Sequence, residues 1–184
     1  GQKESPAHGK KRRMLRHIVS IGVGAGLGFL LGMGLAAADV ALPPIGDSLG
    51  DLLFFFAEIF VLFWLACFAQ IVLHEAGHLI FGLATGYRFC SFTVGGIMLV
   101  RADGRLRLRA LSIAGMGGQC LMAPPRGVEP ERMPFVWYNL GGVLMNLLSA
   151  ALFGALVPAV RGVPVLPLFF LLLALIGLLF AALN

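Results

Sequence analysis

Residues 52–83 read LLFFFAEIFVLFWLACFAQIVLHEAGHLIFGL, an apolar run interrupted by Glu58, Gln70 and the cluster His74, Glu75 and His78. About 20 apolar residues suffice for a helix to cross the hydrocarbon of a bilayer, so the stretch predicts a membrane-spanning helix. An ionisable side chain inside such a helix is costly and is retained where something uses it. Residues 74–78 are therefore where function is to be sought.

In His74-Glu75-Ala76-Gly77-His78 the histidines stand four residues apart, on one helical face and about a turn from each other. Such a pair can offer two imidazole nitrogens to one zinc ion. A catalytic zinc takes three protein ligands and leaves a fourth position for water, while a neighbouring carboxylate accepts the proton as water attacks a carbonyl. His74 and His78 are the expected metal ligands, and Glu75 is the expected catalytic base of a peptide-hydrolysing site. The plainer alternative is two histidines and a carboxylate that satisfy one another within a helix bundle.

The 184 residues are 59% hydrophobic and 12% charged, a balance that belongs to a membrane protein rather than a soluble domain. The formal net charge of +5 is accounted for by residues 1–17, where Lys3, Lys10, Lys11, Arg12, Arg13 and Arg16 face only Glu4. Beside an apolar run this tail reads as a cytoplasmic anchor under the positive-inside rule, not as a nucleic-acid-binding segment. Cys67, Cys90 and Cys120 are far apart and imply no disulfide framework; Cys67 is expected in the core.

The expected fold is a polytopic α-helical membrane protein with about four transmembrane helices and a small interfacial β-hairpin between the second and third. Residues 18–184 form a single membrane-embedded domain in this reading, with spans at 18–38, 52–83, 135–158 and 165–183. Both termini then lie in the cytoplasm of a multi-pass cell-membrane protein. Gly24, Gly28 and Gly32 in the first span have the spacing that lets membrane helices approach closely. The order of basic tail, apolar run and Ala36-Ala37-Ala38 also fits a signal peptide, but the glycine ladder favours a retained span. Residues 39–51, with Pro43 and Pro44 and without Lys or Arg, suit a loop on the non-cytoplasmic side. The second span exceeds the bilayer thickness, so it is expected to be tilted, broken or surrounded by protein, with His74 towards the cytoplasmic end.

Between the second and third spans, residues 87–110 change period. Residues 97–101 and 105–109 read as two strands around Ala102-Asp103-Gly104, with Arg105, Arg107 and Arg109 alternating with Leu106 and Leu108. Such a ribbon suits the lipid interface, its arginines on phosphates, and could also offer an edge strand to an unwound substrate. Residues 112–134, with Gly115, Gly117, Gly118, Pro124 and Pro125, read as a cytoplasmic loop. In the third span Gly141 and Gly142 permit close helix contact one turn before Asn146. That amide needs a partner at membrane depth, either a neighbouring helix or the carbonyl of a substrate.

Together these residues resemble the site-2 protease family of intramembrane zinc metalloproteases. Gly142 and Asn146 are similar to that family's Ala-Gly-Pro-x-x-Asn pattern, with Val143 in place of proline. The resemblance implies His74 and His78 as zinc ligands, Glu75 as general base and Asn146 as a substrate-positioning group. It also implies cleavage of membrane-embedded or membrane-proximal segments of an anchored protein or a peptide precursor. The family's third ligand is usually an aspartate in a later Asn-x-x-Pro…Asp-Gly segment, which these residues lack. Glu58 lies about 24 Å from His74 along a helix, Asp39, Asp47 and Asp51 fall on the other side of the membrane, and Asp103 is in the hairpin turn. Cys120 is the least unlikely substitute. The third ligand is thus expected beyond Asn184, and the 184 residues alone are expected to bind zinc weakly or to be inactive. A reading of another class is a non-catalytic zinc-binding membrane scaffold or carrier.

Overall fold

A computed structural model describes residues 26, 28, 29, 31–111 and 117–184. The chain divides into two units, Gly1–Ala41 and Leu42–Asn184. In the first unit the described residues 31–38 are helical (α1). The helix closes with the N–H of Val40 donating to the Leu35 carbonyl at 3.0 Å and that of Asp39 to the Ala36 carbonyl at 3.3 Å. Asp39 takes the left-handed conformation, φ 52°, that this type of helix end requires. The basic tail and residues 18–25, 27 and 30 of the expected first span, Gly24 included, lie outside the described residues.

The second unit begins with α2, Leu49–Ala84, one unbroken helix of 36 residues. It starts three residues before the expected boundary because Ser48 and Asp51 form a capping box. The Asp51 N–H donates to Ser48 Oγ at 3.0 Å, and the Ser48 N–H donates to the Asp51 carboxylate at 3.2 Å. At 1.5 Å per residue the helix is about 54 Å long against a hydrocarbon thickness of about 30 Å. Of the three outcomes expected for so long a span, a break is ruled out. Leu53, Phe54, Phe56, Phe60 and Trp64 on its first half are exposed, whereas from the midpoint on Ala66, Gln70, Glu75, Gly77 and Gly82 are buried.

That second half is covered by two further helices and a sheet. Helix α3, Phe135–Leu156, runs antiparallel to α2 and continues into a short 3-10 turn, Val157–Val160. Helix α4, Leu166–Leu183, returns alongside it with Leu171, Leu172, Leu173 and Ile176 buried. The rings of Phe153 and Phe170 meet at 5.2 Å. Helices α2, α3 with its 3-10 extension, and α4 are each long and apolar enough to cross a membrane.

In place of a two-stranded hairpin and a loop, residues 88–123 include a four-stranded antiparallel sheet. Its strands are β1 Arg88–Val94, β2 Ile97–Ala102, β3 Arg105–Ala110 and β4 Gly118–Ala123, in the order β3-β2-β1-β4. The predicted β2–β3 hairpin is present, turning through Asp103 and Gly104 at φ 51° and 74°. Gly95 and Gly96, at φ 58° and 84°, make a second two-residue turn of the same mirror-image kind, which joins β1 to β2. Two features hide the outer pair in the sequence. An irregularity between Phe89 and Ser91 breaks the alternation of β1, and β4 sits in a glycine-rich stretch that reads as loop. Strand β4 lies along α2: Gly118 packs on Ile71 and Glu75, and Met122 on Gly82. Strand β3, at the far edge, is exposed at all six residues.

Candidate metal centre

Residues of α2 and α3 meet around the two histidines. His74 and His78 turn their Nε2 atoms towards each other at 3.2 Å, with ring centroids 4.8 Å apart and planes at 82°. Two nitrogens bound at 2.0–2.1 Å to one tetrahedral zinc lie about 3.3–3.4 Å apart, so the pair already has the spacing of two ligands. On its other edge His78 donates an Nδ1–H to the Tyr138 carbonyl at 2.7 Å. A carbonyl can only accept, so this bond fixes the tautomer and leaves the Nε2 lone pair pointing at His74.

The other edge of His74 meets Asn146, whose side-chain amide lies 3.1 Å from Nδ1. Asn146 is fully buried. With its amino group turned to His74, the ring must carry its proton on Nε2 and donate it to His78, which is the self-satisfied pair. In that orientation the Asn146 oxygen is buried without a hydrogen-bond partner, at a cost of about 1–3 kcal/mol. With the amide turned by half a rotation, its oxygen accepts from His74 Nδ1–H. Both Nε2 lone pairs then converge, an arrangement that calls for a cation between them. The orphaned oxygen and the Nε2 spacing are the observations by which these side chains fit zinc as a two-nitrogen half-site.

Glycines bring the helices close enough for this. Gly77, between the two histidines, faces Gly141 backbone to backbone: a Cβ on Gly141 would lie 2.6 Å from the Gly77 carbonyl oxygen. A Cβ on Gly142 would run into the His74 ring. Tyr138 joins the sheet to the same place, its ring 5.5 Å from His78 and stacked on Tyr87 at 5.0 Å, and its hydroxyl donating to the Cys120 carbonyl at 2.8 Å.

Glu75 packs into the contact with β4, 9% exposed. A Cβ on Gly118 would lie 2.8 Å from its Cγ and 3.0 Å from Oε1. The carboxylate is within electrostatic reach of His78 and of the Cys120 backbone. Cys120 is buried, and burial, reinforced by Glu75 and Cys90, pushes its thiol up to about 11. Among the described residues no three His, Cys, Asp or Glu side chains converge, so the substitution of Cys120 for a third ligand is not supported.

The chain matches no protein-family model, no curated protein and no solved structure.

The structure thus brings His74, His78 and Asn146 together, and sets Glu75 beside them against β4. Asn146 stands behind the His74 ring, on the edge away from His78. Gln70 and Gly77 stand out in the sequence without a role, and Tyr138 and Ser149 do not stand out at all. A signal existed for them: Tyr138, Gly142, Asn146 and Ser149 recur at helical spacing on one face of α3, and Gln70 is one turn before His74 on α2.

Proposed function

We propose that this chain is an intramembrane zinc metalloendopeptidase, cleaving membrane-embedded or membrane-proximal segments of anchored proteins or peptide precursors. The observation that carries the reading is the imidazole pair: two Nε2 atoms 3.2 Å apart, one with its tautomer fixed by the Tyr138 carbonyl. The resemblance of His74–His78 and Gly142–Asn146 to the site-2 protease pattern supports it. So does the apolarity of the three helices, which suits a multi-pass membrane protein with its cytoplasmic side at the arginine-rich strand.

In this reading His74 and His78 hold zinc, which when bound supplies Lewis acidity to water and to a scissile carbonyl. Glu75 accepts the proton of the attacking water and passes it to the leaving amine. Asn146 keeps the His74 ring in the ligating tautomer. The substrate helix must unwind locally, since its own hydrogen bonds shield the carbonyls from attack. A non-catalytic zinc-binding scaffold is the second reading, favoured by the two-ligand count among the described residues.

The two readings separate on Glu75→Gln, assayed in proteoliposomes with a single-span substrate. The enzyme loses cleavage by about 10²–10⁴-fold while zinc content is retained. Undiminished cleavage by the variant would overturn the assignment of Glu75.

A further inference from the structure

One turn before His74, Gln70 is fully buried and touches both other helices. Its Nε2 donates to the Leu173 carbonyl of α4 at 2.7 Å, and its Oε1 accepts from Ser149 Oγ of α3 at 3.0 Å. The single Ser149 hydroxyl hydrogen is shared with the Asn146 backbone carbonyl 2.9 Å away, and the Asn146 side-chain amide meets His74 Nδ1 at 3.1 Å. A notch in α4 admits the Gln70 side chain: a Cβ on Gly177 would lie 2.9 Å from Gln70 Nε2 and 3.0 Å from the Asn146 carbonyl oxygen. The polar groups therefore form one path, from the α4 backbone through Gln70 and Ser149 to Asn146 and the edge of His74. His78 is held independently, by the Tyr138 carbonyl.

We infer that Gln70 is a positioning residue for His74: it locks α4 to the α3 segment that carries Asn146, and so sets which nitrogen of His74 is free to ligate. An apolar residue of the same size would fill the space equally well. Bonding a carbonyl on one helix and a hydroxyl on another takes a side chain with both a donor and an acceptor, and the Gln70 amide is retained here among apolar helices where an unpaired amide is costly. The path also predicts asymmetry. Loosening it releases His74 and leaves His78 in place, whereas general loosening of the bundle releases both. The geometry stands without a metal, but the consequence for ligation rests on the zinc reading above.

The test reads the imidazole tautomers directly, on metal-free ¹⁵N-labelled protein in nanodiscs at about pH 8, where an unperturbed imidazole is neutral. Long-range ¹H–¹⁵N spectra, assigned with single His→Asn variants, give one protonated and one unprotonated ring nitrogen for each fixed histidine. In the unaltered chain His74 and His78 should each show a single tautomer. Gln70→Met removes both amide hydrogen bonds and keeps the volume; Gly177→Ala displaces the amide from α4 with a methyl that also meets the Asn146 carbonyl oxygen at 3.0 Å and the Ala150 Cβ at 3.2 Å on α3. Both should bring the two His74 nitrogens towards a common averaged shift and leave the His78 pair unchanged. Unaltered His74 signals in folded Gln70→Met and Gly177→Ala would overturn the inference, and so would equal averaging at His74 and His78. A parallel cobalt titration keeps the two readings distinct: absence of cobalt binding by the unaltered chain counts against the metal centre, whatever the tautomers do.

Discussion

Cys120 shows how the contact between β4 and α2 conditions single side chains. Its thiol is buried beside Glu75 and is pushed up to about 11. A thiol whose folded value is raised favours the folded state below its unfolded value of 9.0, and that contribution disappears as pH rises through about 11. Below that range the group is neutral and unreactive. In a Cys67→Ser/Cys90→Ser background, alkylation of Cys120 at about pH 8 should run roughly 100-fold slower than that of a free thiol. Reaction at the free-thiol rate would place Cys120 in contact with water. Glu75, Gly118 and Tyr138 are the neighbours that make this strand part of the site rather than a remote ornament. None of those contacts was legible in the sequence, because β4 follows glycines that read as loop. The five residues from His74 to His78 were legible, since four-residue spacing on a helix fixes which side chains share a face whatever surrounds them.

At the level of elements, the site depends on α2 and α3 crossing at Gly77 and Gly141. The closeness of that crossing lets the Tyr138 carbonyl reach His78 and the Asn146 amide reach His74. Gly141→Ala would put a methyl group 2.6 Å from the Gly77 carbonyl oxygen and 3.1 Å from the Phe81 Cβ. The helices must separate, so unfolding in mild detergent should be easier by about 1–3 kcal/mol, and zinc affinity should fall with it. A variant with unchanged stability and affinity would show that the crossing is looser than described. The three long helices could be read from apolar length, with boundaries off by at most three residues, since each is a continuous apolar run that ends at polar or turn-forming residues. The sheet was read only in half. The β2–β3 hairpin announces itself through Asp103-Gly104 and alternating arginines, but β1 carries an irregularity and pairs with a strand 24 residues further on, Val94 with Gly118. Pairing at that distance leaves no local pattern.

For the whole molecule, four of the six buried polar residues among the described ones lie around the histidines, Gln70, Ser149 and Asn146 behind them and Glu75 on the sheet side, while Ser91 and Thr93 are buried on β1. The rest of the unit is strongly apolar, with Phe54, Phe56, Phe60 and Trp64 exposed on one flank of α2 and an arginine-bearing strand at the opposite edge of the sheet. Polarity concentrated at one point inside an apolar bundle is costly and is retained where something uses it. The most direct test is zinc affinity, measured by chelator competition on the purified chain, on Glu75→Gln, and on His74→Ala and His78→Ala. About one zinc per chain is expected for the first two, with its loss in either histidine variant. Equal binding by all four proteins, or none by the unaltered chain, would contradict a metal held between these two imidazoles.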